Sequence, residues 1–209
     1  MTYYLAIDIG ASSGRHILSK IKNNKIEIEE IYRFKNNVTK KNGHFYWDVD
    51  YLFNEIKKGI KETVRLNKIP RTIGIDTWAV DYVLLDKNNQ RLSDVYAYRD
   101  LRVDDVINEF NQVDLYHKTG IQYQKFNTVY QLKSEDKNIL ERTQSFLMIP
   151  DYFHYLLTDK KVNEYTNMTT TQLLNYKSNE IDDDILKIIG LSKDVFQERV
   201  MPGTNIGPL

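Results

Sequence analysis

The feature that most constrains the fold is the order of strand-like and helix-like segments in the first 86 residues. Residues 3–9 form a short apolar run that Gly10 closes, and residues 16–22 and 25–34 follow as further strand-like segments. Because short turns join these three segments, they predict an antiparallel meander. In the third segment the period-two alternation loses its phase at Ile31, which predicts a bulge or a strand end there.

A helix and two buried strands are predicted after the meander. Asp48 stands where a helix N-cap belongs, and apolar residues then recur at helical spacing, at Leu52, Phe53, Ile56, Ile60 and Val64. Pro70 is expected to stop this helix, and residues 73–76 and 82–86 are predicted as short strands. The order predicts an α/β fold of the ribonuclease-H-like (actin-like ATPase) kind, with a β-β-β-α-β core and added helices.

The rest of the chain is predicted to be mostly helical. Helices are expected at residues 103–110, 114–119, 128–141, 151–157 with Asp151 as the cap, and 182–189 closed by Gly190. An apolar strand is expected at residues 145–149, and loops at residues 35–47 and 201–209.

Composition and charge limit the classes of partner. Lys plus Arg and Asp plus Glu both number 29, so the net charge is zero and no nucleic-acid partner is expected. The absence of cysteine excludes disulfides, thiolate metal sites and a cysteine nucleophile. No stretch approaches the roughly 18 apolar residues of a membrane span, and the N-terminus lacks the charged region of a signal peptide. The sequence therefore predicts a cytoplasmic protein without a membrane partner.

A small-residue turn follows the first strand and could bind phosphate. Asp8 ends the strand, and the segment from Gly10 to Gly14 contains only Gly, Ala and Ser. Successive backbone N–H groups in such a turn can surround phosphate oxygens, Arg15 adds a cation with a forked geometry, and Asp8 could hold Mg²⁺ through water. The Walker and dinucleotide fingerprints are both absent. The alternative interpretation is an ordinary β-hairpin with a small turn.

Two further motifs could contact a sugar. Asp76, Thr77, Trp78 and Asp81 follow the strand at residues 73–76, where ligands of such sheets bind. The indole offers a flat apolar face to a sugar ring, and the polar side chains can bind its hydroxyls; the alternative is a buried tryptophan with solvated acids. In the segment 98–102, Arg99 could line a sugar pocket or form a structural salt bridge with its neighbouring aspartate.

Taken together and in this order, the motifs resemble the FGGY carbohydrate kinases, and among them the rhamnulokinase group. The strings that carry the resemblance are DIGASSGR (8–15), WDVD (47–50), GIDTWAVDYVLLD (74–86), AYRD (97–100), FNTVYQL (126–132), PDYFHYLLT (150–158) and EYTNMTTTQLL (164–174). Each string is weak by itself, but the complete ordered series is specific and covers nearly the whole chain.

The resemblance implies transfer of the ATP γ-phosphate to the primary hydroxyl of L-rhamnulose, with Mg²⁺ as the metal. It implies a segment that binds the ATP phosphates, consisting of Ala11, Ser12, Ser13, Gly14 and Arg15, with Asp8 on the metal side. It places Ala79, where family members most often have glycine, in contact with the sugar. Trp78, Asp81 and Arg99 are further substrate candidates.

The resemblance also implies that part of the active site lies outside this sequence. Family members are considerably longer, and their base aspartate and most of their adenine pocket fall beyond the matched region. We therefore expect residues 1–209 to be an N-terminal lobe that lacks the second lobe and the catalytic residue. Negligible activity of the chain alone is expected, with self-association through the face left exposed. The alternatives are a kinase of another ketose or polyol and a non-catalytic sugar- or nucleotide-binding module.

Overall fold

A computed structural model describes residues 1–209 as two compact units. The first unit comprises Met1–Thr39 and Trp47–Trp78, and the second comprises Lys40–Tyr46 and Ala79–Leu209. The elements in chain order are β1 (Tyr3–Ile9), β2 (Ser13–Lys22), β3 (Lys25–Lys35), β4 (Val38–Lys41), β5 (His44–Trp47), α1 (Val49–Arg65), β6 (Pro70–Thr77), β7 (Tyr82–Leu85), β8 (Val95–Tyr96), α2 (Leu115–Thr119), α3 (Thr128–Lys133), α4 (Lys137–Arg142), β9 (Ser145–Met148), α5 (Ile149–Thr158), β10 (Asn163–Glu164), α6 (Tyr165–Thr169), β11 (Leu174–Asn175), β12 (Glu180–Ile181), α7 (Asp183–Ile189) and β13 (Arg199–Val200).

The first unit is a four-stranded sheet in the order β3-β2-β1-β6. The meander β1-β2-β3 is antiparallel, and β6 pairs parallel with β1 after the chain has crossed over through α1. Alternate residues of β1 are buried, namely Leu5, Ile7 and Ile9, as are Leu52 and Ile56 of α1. The β-β-β-α-β order predicted for this sheet and its helix is therefore confirmed. The period-two apolar pattern of β1 and the helical apolar pattern of α1 each give one buried face of the unit's core.

Two local predictions in this unit are confirmed. His16 pairs with Tyr32 but Ile17 pairs with Glu30, so Ile31 is the extra residue of a bulge. The Asp48 side chain caps α1 by accepting a hydrogen bond from the Tyr51 N–H at 2.8 Å.

Pro70 does not stop α1, because that helix ends at Arg65 and Pro70 begins β6. The chain leaves the helix through Asn67, whose φ of 53° lies in the left-handed region that asparagine tolerates. A proline fits the first residue of β6, which is an edge strand.

One face of the four-stranded sheet carries exposed apolar side chains. Ile21, Ile26 and Ile28 are 63%, 73% and 71% exposed. Ile21 pairs with Ile26 across the β2–β3 ladder, so these side chains share a face. Nothing in the structure relates this apolar face to the surface that the missing lobe would cover, and the self-association expected through that surface stays a prediction.

The second unit has a separate core around the antiparallel pair β7–β9. Its buried residues come from both strands and from the helices packed on them, including Leu84, Val129, Leu132, Phe146, Met168, Ile185 and Leu186. A three-stranded sheet in the order β4-β5-β8 and two short two-stranded pairs, β10–β13 and β11–β12, complete the strands. No helix of either unit is long and apolar enough to cross a membrane.

Several other predicted elements need correction. Residues 35–47 contain β4 and β5 instead of being only loop. In place of the helix predicted at residues 103–110, the chain forms two short 3₁₀ turns, Leu101–Val103 and Ile107–Phe110. The helix predicted at residues 128–141 is two helices, because Asp136 caps the N–H of Asn138 and starts α4 anew. Asp151 lies in the first turn of α5, and Met148 occupies the N-cap position. The strand at 145–148 and helix α7, with Asp182 as cap and Gly190 at its end, are confirmed.

Candidate functional site

The parallel pairing of β1 and β6 brings two predicted motifs to the same edge of the first unit's sheet. Asp8 lies opposite Asp76, and Ile9 lies opposite Thr77. Gly10 and Trp78 therefore leave neighbouring strands at their carboxyl ends, which is where ligands of such sheets bind. The small-residue turn at residues 10–14, called the phosphate turn below for its predicted role, is thus adjacent to Trp78.

The turn after β1 is held by hydrogen bonds that use its carbonyl oxygens. The Gly10 N–H donates to the Ser13 oxygen at 2.9 Å, and the Ser12 oxygen accepts from the Asn36 N–H at 3.0 Å. The Asn36 side-chain amide donates to the Gly10 oxygen at 2.9 Å, and Asn36 is buried. Because donors inside the protein bond these three carbonyl oxygens, the conformation of the turn is fixed. Asn36 was missed from the sequence, where two asparagines after a strand indicate only a turn.

The two glycines of the turn differ in what they accommodate. A Cβ atom at Gly14 would lie 2.1 Å from the buried Phe34 ring, so packing inside the protein requires glycine there. A Cβ atom at Gly10 would meet nothing closer than the Ser13 oxygen at 3.5 Å, an ordinary contact. Internal packing therefore explains Gly14 but does not require Gly10.

Asp8 and Arg15 form an ion pair beside the turn. The Arg15 Nε atom donates to Asp8 Oδ2 at 2.8 Å, and both side chains are about two-fifths exposed. Asp8 also pairs with Asp76 of β6, and Arg15 pairs with Arg33 of β3, so four charged residues lie in one row across the sheet. No group of three or more His, Asp or Glu side chains in the structure could hold a metal ion alone. Mg²⁺ commonly uses one or two carboxylates together with water and substrate phosphates, so the donor set around Asp8 fits that ion.

Trp78 packs on a second tryptophan of the first unit. Its ring centroid lies 4.1 Å from that of Trp47, with 36° between the planes. Trp47 is buried and Trp78 is half-buried, and the Thr77 hydroxyl donates to the Trp78 oxygen at 2.9 Å. Trp47, the first residue of the WDVD string, is thus a packing partner of Trp78.

In the second unit, Asp81 is a buried carboxylate with internal partners. It is 1% exposed, and its oxygens accept hydrogen bonds from the Tyr98 N–H at 3.0 Å and the Gln131 side chain at 2.9 Å. These contacts favour a structural role for Asp81 over direct contact with a sugar hydroxyl. Ala79, two residues earlier, is half-buried.

Arg99 is exposed and does not pair with its neighbouring aspartate. Its Nε atom donates to the Tyr98 hydroxyl at 3.2 Å. Asp100 is buried and instead accepts from the His44 Nδ1 atom at 3.0 Å and from the Phe45 N–H at 2.8 Å. The Arg99–Asp100 salt bridge, considered above as the alternative for this motif, is therefore wrong.

A buried ion pair that the sequence did not predict lies in the same unit. Arg102 Nη1 is 3.0 Å from Glu135 Oε1, and the two side chains are 8% and 3% exposed. The Tyr82 hydroxyl donates to Glu135 at 2.7 Å and accepts from Arg102 at 3.2 Å, and the guanidinium lies 3.8 Å from the Tyr96 ring centroid. Burial raises the pKa of Tyr82 well above its usual value. Each charge is paired, as burial requires, so the cluster is structural.

Two other buried groups have strongly shifted pKa values. Burial lowers the pKa of His16 to about 4, so this residue is neutral beneath α1. Burial raises the pKa of Asp151 to about 7, although the Glu164 N–H and the Asn163 amide donate to it. Neither residue lies in the phosphate turn or the Trp78 loop.

Comparison with known proteins identifies the family. Residues 3–208 match the sequence model of one protein family, the FGGY family of carbohydrate kinases, N-terminal domain. A curated relative named rhamnulokinase, from Halalkalibacterium halodurans, is 51% identical over 216 residues, covering 100% of this chain and 46% of the relative. The Bacillus subtilis rhamnulokinase is 43% identical over 210 residues. This match covers 99% of this chain and 43% of the relative. The chain thus spans less than half the length of the curated relatives it matches.

Solved structures confirm the fold. The gluconate kinase from Lactobacillus acidophilus superposes with a TM-score of 0.88 at 19% identity, covering 99% of this chain and 43% of that one. The ligand-bound xylulose kinase from the same organism gives 0.87 at 18% identity, covering 98% of this chain and 43% of the other. The similarity spans both units, and the actin-like fold expected from the strand order is confirmed. The chain belongs to the FGGY family of carbohydrate kinases and corresponds to its N-terminal domain.

Proposed function

We propose that this chain forms the N-terminal part of an ATP-dependent kinase that converts L-rhamnulose to L-rhamnulose 1-phosphate. The observation that carries the proposal is the pairing of Ile9 with Thr77, which sets the phosphate turn beside the Trp78 loop. The 51% identity to a rhamnulokinase supports the choice of sugar.

In this proposal the turn from Ala11 to Arg15 binds the phosphates of ATP. Gly10 supports it, because no contact inside the protein requires glycine there and a missing side chain leaves room for a ligand. The Ser12 and Ser13 hydroxyls are further donors, and Arg15 is a half-exposed cation at the same edge. Such donors stabilise the charge that develops on the transferred phosphoryl group.

Asp8 would hold Mg²⁺ through water, with Asp76 on the adjacent strand. The ion, when bound, neutralises charge on the phosphates. Asp8 forms an ion pair with Arg15. Both side chains keep about two-fifths of their surface exposed, so both can reach a ligand at the edge where the nucleotide phosphates would bind.

Three residues are candidate sugar contacts, each argued from its own unit: Trp78 in the first unit, and Ala79 and Arg99 in the second. One face of the Trp78 indole packs on Trp47, and the residue remains half-buried. Ala79 follows directly and has a small side chain, and Arg99 is exposed with a single neutral hydrogen-bond partner, the Tyr98 hydroxyl. Asp81 would act through the position of its neighbours and not by contact, because its oxygens already accept internal hydrogen bonds.

A coupled assay of ADP release by the full-length kinase tests the sugar. L-Rhamnulose, L-xylulose, L-fuculose and glycerol would be compared at equal concentrations, with the phosphorylated position assigned by NMR. We expect the highest kcat/KM for L-rhamnulose and phosphate on its primary hydroxyl. A higher kcat/KM for any other of these compounds would contradict the sugar assignment.

The alternative function, a non-catalytic sugar- or nucleotide-binding module, predicts a different result. On the kinase proposal the 209-residue chain has negligible activity, because the catalytic base is expected outside it and a base contributes about 10²–10⁴-fold. A module predicts that the chain alone binds L-rhamnulose or ATP·Mg tightly in a calorimetric titration. Weak or undetectable binding by the chain, together with turnover by the full-length protein, favours the kinase. The cytoplasmic location stays a prediction.

A further inference from the structure

One residue beside the sugar candidates has a backbone conformation that its side chain disfavours. Val80 has a φ of 68°, in the left-handed region. The other non-glycine residues with positive φ are asparagine, aspartate or glutamine: Asn23, Asn24, Asn42, Asn67, Asn89, Asp159, Gln172 and Asn179. A β-branched residue there is a genuine outlier, and such outliers persist only where the surroundings enforce them.

The strained residue is the centre of a three-residue turn. The Asp81 N–H donates to the Ala79 oxygen at 3.0 Å, across Val80. With positive φ at the central residue this is the rare, strained form of the γ-turn. Elsewhere in the chain, Asp114 is the centre of a similar hydrogen bond, from Leu115 to Val113, but with the relaxed φ of −77°. The same type of hydrogen bond thus spans Asp114 with a relaxed backbone and Val80 with a strained one.

Two side chains of α3 hold the strained turn in place. The Thr128 hydroxyl donates to the Val80 oxygen at 2.6 Å, and the Gln131 side-chain amide donates to Asp81 Oδ1 at 2.9 Å. The same amide lies 3.4 Å from the Val80 oxygen. Thr128 and Gln131 are 0% and 2% exposed, so water does not compete for these bonds.

We propose that Thr128 and Gln131 are positioning residues that fix the Val80 turn and thereby set the orientation of Ala79 toward the sugar. This inference rests on the proposed function, because Ala79 is a sugar contact only in that proposal. The turn uses the Ala79 oxygen, so the N–H and the methyl group of Ala79 are what remains for a ligand. A strained, over-determined turn next to a binding residue is pre-organised, which favours binding without a reordering cost.

Thr128→Val in the full-length kinase removes the hydroxyl and keeps the shape of the side chain. We expect the KM for the ketose to rise about tenfold, which corresponds to the loss of one buried hydrogen bond, while the KM for ATP changes less than about twofold. Thr143→Val is the matched control, because Thr143 is also buried and its hydroxyl donates to the Ile139 oxygen at 2.8 Å. The control should leave both KM values unchanged.

A rescue experiment separates positioning from general damage. Glycine adopts positive φ without strain, so Val80→Gly should make the turn independent of the Thr128 hydroxyl. In the Val80→Gly background, Thr128→Val should raise the ketose KM less than about threefold. An unchanged ketose KM in Thr128→Val alone, or an equal rise with and without Val80→Gly, would overturn the proposal.

Hydrogen exchange distinguishes failure of this inference from failure of the proposed function. Thr128→Val should accelerate exchange of the Asp81 amide about tenfold relative to Thr143→Val. A full-length protein that phosphorylates no ketose overturns the proposed function and the role of Ala79, and the clamp on Val80 is then judged by exchange alone. Unchanged exchange at Asp81 overturns the clamp whatever the kinase assay gives.

Discussion

Gly59 is an interior residue of α1 where helix propensity and packing predict opposite effects of substitution by alanine. Propensity alone gives Gly59→Ala a gain of about 1 kcal/mol. In the structure, however, a Cβ atom at Gly59 would lie 2.3 Å from two ring atoms of His16, which is fully buried. That ring cannot simply swing away, because its Nε2 atom lies 3.1 Å from the Ile56 oxygen and Tyr32 packs edge-on at 5.5 Å.

The magnitude follows from these contacts. Overpacking a core costs about 1–3 kcal/mol, and loss of the His16 hydrogen bond adds about 1 kcal/mol. Against a propensity gain of about 1 kcal/mol, we expect Gly59→Ala to lower the free energy of unfolding by about 1–3 kcal/mol. The sign is opposite to the one that helix propensity alone predicts.

Urea unfolding followed by tryptophan fluorescence measures this change. The chain has two tryptophans, Trp47 and Trp78, and both lie in the first unit with Gly59, so the signal reports on that unit. Asn54→Ala is the control, because Asn54 is exposed on the same helix and should gain a few tenths of a kcal/mol. In a His16→Ala background the ring is gone, and Gly59→Ala should become stabilising. A Gly59→Ala variant at least as stable as the wild type, with His16 present, would refute the reasoning.

Two further predictions concern stability. Asp48→Ala removes the cap of α1 and should cost about 1 kcal/mol in the same fluorescence assay; no loss would mean that the Tyr51 N–H bond contributes nothing. Asp151 has its pKa raised to about 7 from the usual 3.8, so the folded state holds a proton that the unfolded state has lost between these values. Its contribution is therefore present below about pH 4 and is lost as pH rises toward 7, with a slope of at most about 1.4 kcal/mol per pH unit. Comparison of urea unfolding at pH 4.5 and 7.5 should show that Asp151→Asn removes this loss, and equal pH dependence in both proteins would contradict the assignment.

The elements that were predictable from the sequence are those with a local pattern. The β1-β2-β3 meander, the bulge at Ile31 and the Asp48 cap follow from apolar alternation, a break in its phase and one polar side chain before a helical repeat. In each case the signal lies within a few residues, and the structure adds only the partner.

The elements that were missed depend on distant partners. Strands β4 and β5 lie in a polar segment, and their sheet is completed by β8, some fifty residues later in the chain. The buried pair of Arg102 and Glu135 joins residues that no local pattern relates. The break between α3 and α4 was the exception, because Asp136 is a local cap signal that the apolar repeat concealed.

The candidate site divides in the same way. The residues of the phosphate turn and Trp78 became candidates because they follow predicted strands, and their adjacency follows from the parallel pairing of β1 with β6. Asn36, which bonds the turn from the end of β3, and Thr128, which bonds the Val80 oxygen, were not found. Both act on backbone atoms, and a hydrogen bond to a distant backbone atom leaves no pattern in the sequence.

Steady-state kinetics of two arginine variants of the full-length kinase test most directly whether the turn after β1 binds ATP phosphates. Arg15 and Arg33 are paired residues on neighbouring strands, with similarly exposed side chains, but only Arg15 adjoins the turn. We expect Arg15→Gln to raise the KM for ATP at least about tenfold, as for loss of a charge-assisted hydrogen bond, while the ketose KM stays within about twofold and Arg33→Gln changes neither. Equal effects of the two variants on the KM for ATP, or no effect of Arg15→Gln, would show that the turn does not bind the nucleotide.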